Sequence, residues 1–196
     1  YGIGLGLEFS RVLFRSLECG ASYLEDGPEH LKSVGETVFV EEIAAQSREG
    51  EGAVISAIVS RTDLRAAELD EALDAHEEAA KGIFRGIRHA GARDPYPESL
   101  TIPGRAPEGL YEDEDFRKGV ARLGERGYTY DTWHYHHQNA AFRNLAEAVP
   151  DTTMILDHFG TPLGVGPYAD KREEIYEKWR EDITAIAKCS NVVAKI

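Results

Sequence analysis

Five of the seven histidines fall into three short clusters: His89 beside Arg88, then His134, His136 and His137, then His158 beside Asp157. Each cluster follows a short β-forming run. Neutral imidazole ligates metals and exchanges a proton near neutral pH, so histidines brought together from several strand ends could hold a metal or do acid–base work. His136 and His158 are the two expected to act, whereas His134 and His137 are expected to pack or face solvent. Strand alternation would put His134 and His136 on one face and Trp133, Tyr135 and His137 on the other. Arg88 ends a buried run, so its guanidinium needs an anionic partner, either a substrate carboxylate or an internal aspartate. Other chemistries lack their residues: there is no HExxH, GxSxG or Walker lysine. The GIGLG at Gly2–Gly6 is not followed by a helix pattern or a Lys-Ser/Thr pair, so it is weak evidence for a phosphate loop. Cys19 and Cys189 have no obvious catalytic base beside them in sequence.

The elements that must position these groups are short β-branched runs alternating with helical periodicity. The strands are expected at Leu17–Ser22, Ala53–Ser60, Ile83–Arg88, Tyr128–His134, Thr153–His158 and Asn191–Ile196. Helices are expected over Asp63–Lys81, Asp113–Arg126 and Asp170–Lys188, with Asp63 at an N-cap and Gly127 at a stop. Strand–helix alternation implies crossovers and a parallel sheet, with polar residues gathered at the strands' C-terminal ends, where such folds bind ligands. Two α/β architectures fit, an open doubly wound sheet or a closed eight-stranded barrel lacking units at its ends. The Pro-rich stretch Asp94–Pro107 reads as a long loop over a sheet edge, and the Gly/Pro-rich Phe159–Tyr168 as a loop that either shapes a pocket entrance or is simply rigid.

The chain has 196 residues and a formal net charge of −13, from 22 Lys plus Arg against 35 Asp plus Glu. A surface this acidic repels phosphate backbones and anionic lipid, so neither nucleic acid nor a membrane surface is an expected partner. The longest apolar run, Ala53–Val59, is far shorter than the roughly 20 residues that span a bilayer. Two cysteines make no disulfide framework and suit a reducing cytoplasm.

Both ends are expected to be non-native or cut. The chain opens at Tyr1, and its one methionine is Met154. Residues 7–16, LEFSRVLFRS, resemble the translated sequencing adapter LEFRRVLFRS and differ from it at Ser10. Residues 1–16 are therefore expected to be assembly debris, with the domain proper over 17–196. At the other end NVVAKI stops inside a strand pattern, as a truncated chain would.

Five stretches in this order carry a family resemblance: ECGASY at Glu18–Tyr23, GPEHLKSVGETVFV at Gly27–Val40, FRGIRH at Phe84–His89, YHHQ at Tyr135–Gln138 and PDTTMILDHFGTPLGVGPY at Pro150–Tyr168. From about Leu17 to Ile196 the chain resembles the amidohydrolase-related, lactonase-like branch of the amidohydrolase superfamily. The resemblance implies a partial (β/α)8 TIM barrel, about six of eight strands present, truncated at both ends. It implies that His136 and His158 are the histidines of the fifth and sixth barrel strands, catalytic and, where a metal is used, its ligands. It implies a substrate-anion contact at Arg88, with His89 beside it. The family's HxH pair and last-strand Asp have no counterpart here, and His137 stands where many relatives carry Pro. The implied metal is usually zinc, and lactonases of this branch often dispense with it. The expected parent is a cytoplasmic hydrolase that opens a lactone, or a related C–O or C–N bond, of a small anionic metabolite, and the fragment by itself is expected to be inactive. The alternatives are a decarboxylase of the same superfamily and a non-catalytic binding or decayed domain.

Overall fold

A computed structural model describes residues 12–195. Within them lie six strands, β1 Leu13–Leu17, β2 Val54–Ser60, β3 Phe84–Arg88, β4 Thr129–Thr132, β5 Met154–Asp157 and β6 Val192–Lys195. Five α-helices alternate with them: α1 Val34–Glu49, α2 Leu69–Ala79, α3 Glu114–Glu125, α4 Asn139–Ala148 and α5 Arg172–Ile186. The GIGLG motif lies outside the described residues.

Every strand pairs in parallel with its sequence neighbours, in the order β1-β2-β3-β4-β5-β6. A doubly wound sheet reverses direction at a switch point; this one never does. Right-handed crossovers in a single direction place the helices on one face, and the sheet curls around the other. The curl is visible in side-chain contacts. In a flat sheet β1 and β4 would stand about 14 Å apart, three strand spacings, yet Arg15 on β1 contacts Asp131 on β4 at 2.5 Å. The architecture is thus a six-stranded half-barrel of the (β/α)8 type, as the resemblance implies.

The core lies on the convex face. Ile58, Ile87, Tyr130, Met154 and Leu156 from the strands pack against Leu73, Phe116, Val120, Leu123, Phe142, Leu145 and Ile186 from the helices. Helix α3 shows how sequence produces this packing. The Asp113 carboxylate accepts from the Phe116 N–H at 2.8 Å, capping the first turn. Phe116, Val120 and Leu123 then face inward at helical spacing. Gly119 lets the helix touch the chain after β2: a Cβ there would meet the Leu64 carbonyl oxygen at 1.9 Å.

Several expectations need correction. The first strand runs over 13–17 rather than 17–22, because the Glu36 carboxylate takes the Cys19 and Gly20 N–H groups at 2.8 and 3.1 Å and draws that backbone into a turn. Leu13–Ser16 thus fall in the adapter-like stretch; they pair through backbone, while Leu13 and Phe14 stay exposed. Helix α2 starts at Leu69, because Asp63 instead closes a local turn with the Arg65 N–H and guanidinium. Strand β4 ends at Thr132, so the alternation assumed for His134 through His137 does not operate; His136–Gln138 form a turn of 3-10 helix running into α4.

Helix α1 escaped the periodicity reading because its pattern is inverted. Glu36, Thr37 and Glu41 are buried while Val38, Phe39 and Ile43 are exposed. The buried polar groups all have partners. Glu41 meets Lys81 at 2.7 Å and Arg48 at 2.9 Å, cations that hold its carboxyl below the usual range. Thr37 joins a buried network with Ser60 and His76. No helix among the described residues is long and apolar enough to cross a membrane.

Candidate active site

Where the chain leaves β1 to β5 it encloses a cleft of about 740 Å³. Glu18 to Gly20, Arg61, Arg88, Trp133, Tyr135 and His158 supply the strand-end side. The loops Asp94–Pro107 and Phe159–Tyr168 supply an apolar wall through Leu100, Ile102, Leu163 and Val165. The Tyr135 hydroxyl fastens the first of these loops by donating to the Ile102 carbonyl.

Arg88 reaches the cleft from the end of β3, and its partners are internal. Its Nε donates to Glu18 Oε1 at 2.9 Å, one terminal nitrogen to the Glu18 carbonyl, and the other to Asp157 Oδ2 at 3.4 Å. Of the two partners left open by the sequence, the structure supplies the internal aspartate, with Glu18 added.

These groups belong to a charged cluster on the concave face. Asp157 also meets Lys195 at 3.1 Å. Asp131 accepts from Thr129 at 3.1 Å besides pairing with Arg15. Three cations (Arg15, Arg88, Lys195) thus face three acids (Glu18, Asp131, Asp157). Burial raises the Asp131 carboxyl to about 6; the Arg15 charge opposes that shift and the Asp157 charge adds to it. Nothing in the sequence singled out Asp131, because its partners are remote along the chain.

The histidines separate. His158 is exposed in the cleft, directly after β5. Its backbone is left-handed at φ 51°, as are Phe159 (50°), Gly160 (70°) and Thr161 (40°). Such a run costs on the order of 1 kcal/mol or more for each non-glycine residue and persists only when the surroundings enforce it. Here Trp179 Nε1 donates to the Phe159 carbonyl at 2.7 Å, and Asn139 packs against Gly160.

His136 is buried beneath the second loop and does not line the cleft. Its Nδ1 accepts from the Leu163 N–H at 3.3 Å, so in the neutral ring the proton sits on Nε2. Burial lowers its basicity. The ring meets Tyr168 and His137 edge-on. His89 lines a second cleft, of about 670 Å³, on the far side of Arg61. Its Nδ1 accepts from the Leu64 N–H at 3.3 Å, and burial pushes it down to about 4.

The two histidines expected to pack or face solvent divide: His134 is buried and His137 is exposed. His134 is fully buried between the Tyr111 hydroxyl at 3.0 Å and Asn139 Oδ1 at 2.9 Å, and desolvation takes it to about 4. His137 donates to the Arg93 carbonyl at 3.0 Å and stacks on Tyr168.

The structure therefore unites Arg88 and His158 in one cleft and leaves His89 and His136 outside it. A catalytic zinc needs three protein ligands. Among the described residues no group of three His, Cys, Asp or Glu side chains could hold a metal ion, and in neutral His136, with Nδ1 accepting from backbone, Nε2 carries the proton and has no lone pair for a metal. The residues present do not fit a zinc site.

Comparison with known proteins places these features. An uncharacterized protein of Sinorhizobium fredii is 30% identical over 181 residues, covering 90% of this chain and 54% of that protein. The L-fucono-1,5-lactonase of Burkholderia multivorans is 26% identical over 161 residues, covering 82% of this chain and 48% of the lactonase. A crystal structure of a Burkholderia multivorans amidohydrolase with bound zinc aligns with TM-score 0.61 at 26% identity, over 81% of this chain and 48% of that one. The chain spans about half the length of the curated relatives it matches. A family model described as Amidohydrolase matches residues 41–196, well over half the sequence, and the chain belongs to that family.

Proposed function

We propose that the cleft is part of the active site of a hydrolase that opens a lactone, or a related C–O or C–N bond, of a small anionic metabolite by water attack at a carbonyl. The observation that carries this reading is His158, an exposed imidazole at a strand end on enforced left-handed backbone. An imidazole so placed can donate to the carbonyl oxygen as charge develops there, or pass a proton to the leaving oxygen. His136, packed beneath the loop that completes the cleft, holds that loop in register through the Leu163 N–H. The similarity to an L-fucono-1,5-lactonase favours a lactone as substrate.

Water activation needs a base. The cleft's acid on the strand side is Glu18, which is bound to Arg88. The 196 residues alone are therefore inactive in this proposal, and the test is a chimera. Residues 17–195 would replace the matched segment of the Burkholderia lactonase. The chimera should release acid from L-fucono-1,5-lactone, and His158→Asn should lower kcat/KM by about 100-fold or more. A folded chimera that instead releases CO₂ from a carboxylated substrate would make the protein a decarboxylase. One inert in both assays would make the domain non-catalytic.

A further inference from the structure

The cleft contains a cation that neither the sequence reading nor the family match singles out. Arg61 follows directly on Ser60 at the end of β2 and lines both clefts; it and Gly20 form their junction. Three Arg and Lys side chains line these two spaces. Arg88 is neutralised by Glu18 and Asp157, and Lys32 pairs with Glu29 at 2.8 Å. The Arg61 guanidinium has no ion-pair or hydrogen-bond partner among the described residues. In a chain with 35 acids to 22 bases, a cleft arginine with no carboxylate partner among the described residues keeps its planar fork free to meet an anion.

Its backbone is held from behind. The Arg61 carbonyl accepts from the fully buried His76 Nε2 at 3.1 Å. With that nitrogen donating, His76 Nδ1 must accept from Thr37 Oγ1 at 2.9 Å, and Thr37 in turn accepts from Ser60 Oγ at 2.7 Å. Desolvation keeps the ring neutral, pushing it down to about 4, so this donor–acceptor order holds at neutral pH. The network is closed, buried and spread over α1, β2 and α2, and it orients the first residue after β2.

We propose that Arg61, rather than Arg88, binds the substrate's anionic group. The ligand class is an organic carboxylate. Its charged end sits at the junction of the clefts, and its apolar body lies towards Trp133, Leu100 and Ile102. This deepens the hydrolase reading and rests on its assignment of the substrate cleft.

Benzoate, with benzamide as its neutral isostere, probes the site in the chain as it stands, read by quenching of tryptophan fluorescence. Wild type should bind benzoate in preference to benzamide. Arg61→Gln should weaken benzoate by about tenfold or more and leave benzamide unchanged, with Arg61→Lys in between because it keeps the charge but loses the fork. Arg61 is exposed, so the thermal unfolding midpoint should not move. Equal benzoate binding by wild type and Arg61→Gln, or no saturable binding by wild type, overturns the proposal. The lactonase chimera separates this from the reading beneath it. If the chimera hydrolyses lactone and Arg61→Gln leaves its inhibition by benzoate unchanged, the anion site falls and the hydrolase stands. If the chimera is inert while benzoate binding still depends on Arg61, the hydrolase falls and the anion site stands.

Discussion

The substitution Asp131→Asn isolates the electrostatics of the concave face. Burial holds the Asp131 carboxyl at about 6, above the ordinary aspartate value of 3.8, even with Arg15 at 2.5 Å. A raised carboxyl binds more protons folded than unfolded. Its stabilising effect is therefore complete below about pH 4 and is lost as pH rises through about 6. The difference of roughly two pH units corresponds to about 3 kcal/mol at neutral pH, a large share of a domain's 5–15 kcal/mol. The wild-type curve alone does not reveal it. His76, His89 and His134 are each lowered to about 4 by desolvation, so they contribute stability above pH 6.5 that is lost as pH falls towards 4. Those slopes oppose that of Asp131 and cancel in a difference. The assay is urea unfolding of wild type and Asp131→Asn at intervals from pH 4 to 8. Asparagine mimics the neutral carboxyl, so the variants should be equal near pH 4, with Asp131→Asn more stable by up to about 3 kcal/mol at pH 7. A difference that stays flat, or has the opposite sign at pH 7, would refute the reasoning. It would mean that the Arg15 ion pair outweighs the desolvation of Asp131.

Two further substitutions test the scaffold. Arg88→Met removes the cation between Glu18 and the fully buried Asp157. Breaking a buried pair from one side should cost about 3–5 kcal/mol, read as a lower urea midpoint at unchanged m-value. Restoration of stability by adding Asp157→Asn would trace the loss to the buried Asp157 carboxylate, left with Lys195 alone. Gly119→Ala should destabilise by about 1–3 kcal/mol, because the new methyl meets the Leu64 carbonyl; wild-type stability in this variant would mean that α3 can withdraw from the chain after β2.

The parallel α/β class was legible in the sequence for physical reasons. Runs such as Val54–Ser60 are too short and too β-branched for helices, and α2, α3 and α5 carry apolar residues at helical spacing. The strand ends, and with them the neighbourhood of Arg88 and His158, followed from that alternation. Helix α1 did not, because a period of hydrophobicity reports burial only when burial is apolar. Its buried side is Glu36, Thr37 and Glu41, which tolerate the interior only because the Cys19–Gly20 backbone, His76 with Ser60, and Lys81 with Arg48 arrive from elsewhere in the chain.

The histidines show the same division. Local sequence sets their spacing, but whether β4 runs to Thr132 or to His134 decides which way each ring points. That endpoint follows from tertiary contacts such as the Gly91 N–H on the Trp133 carbonyl. The charge cluster lies furthest from what local sequence can reveal. Arg15 and Asp131 are 116 residues apart, and Arg88 and Asp157 are 69 apart. The sequence determined that the chain would build a parallel sheet with polar strand ends. Only the curl of that sheet decided which charges would neutralise one another inside it and that Arg61 would have no partner among the described residues, because pairing depends on distance in space.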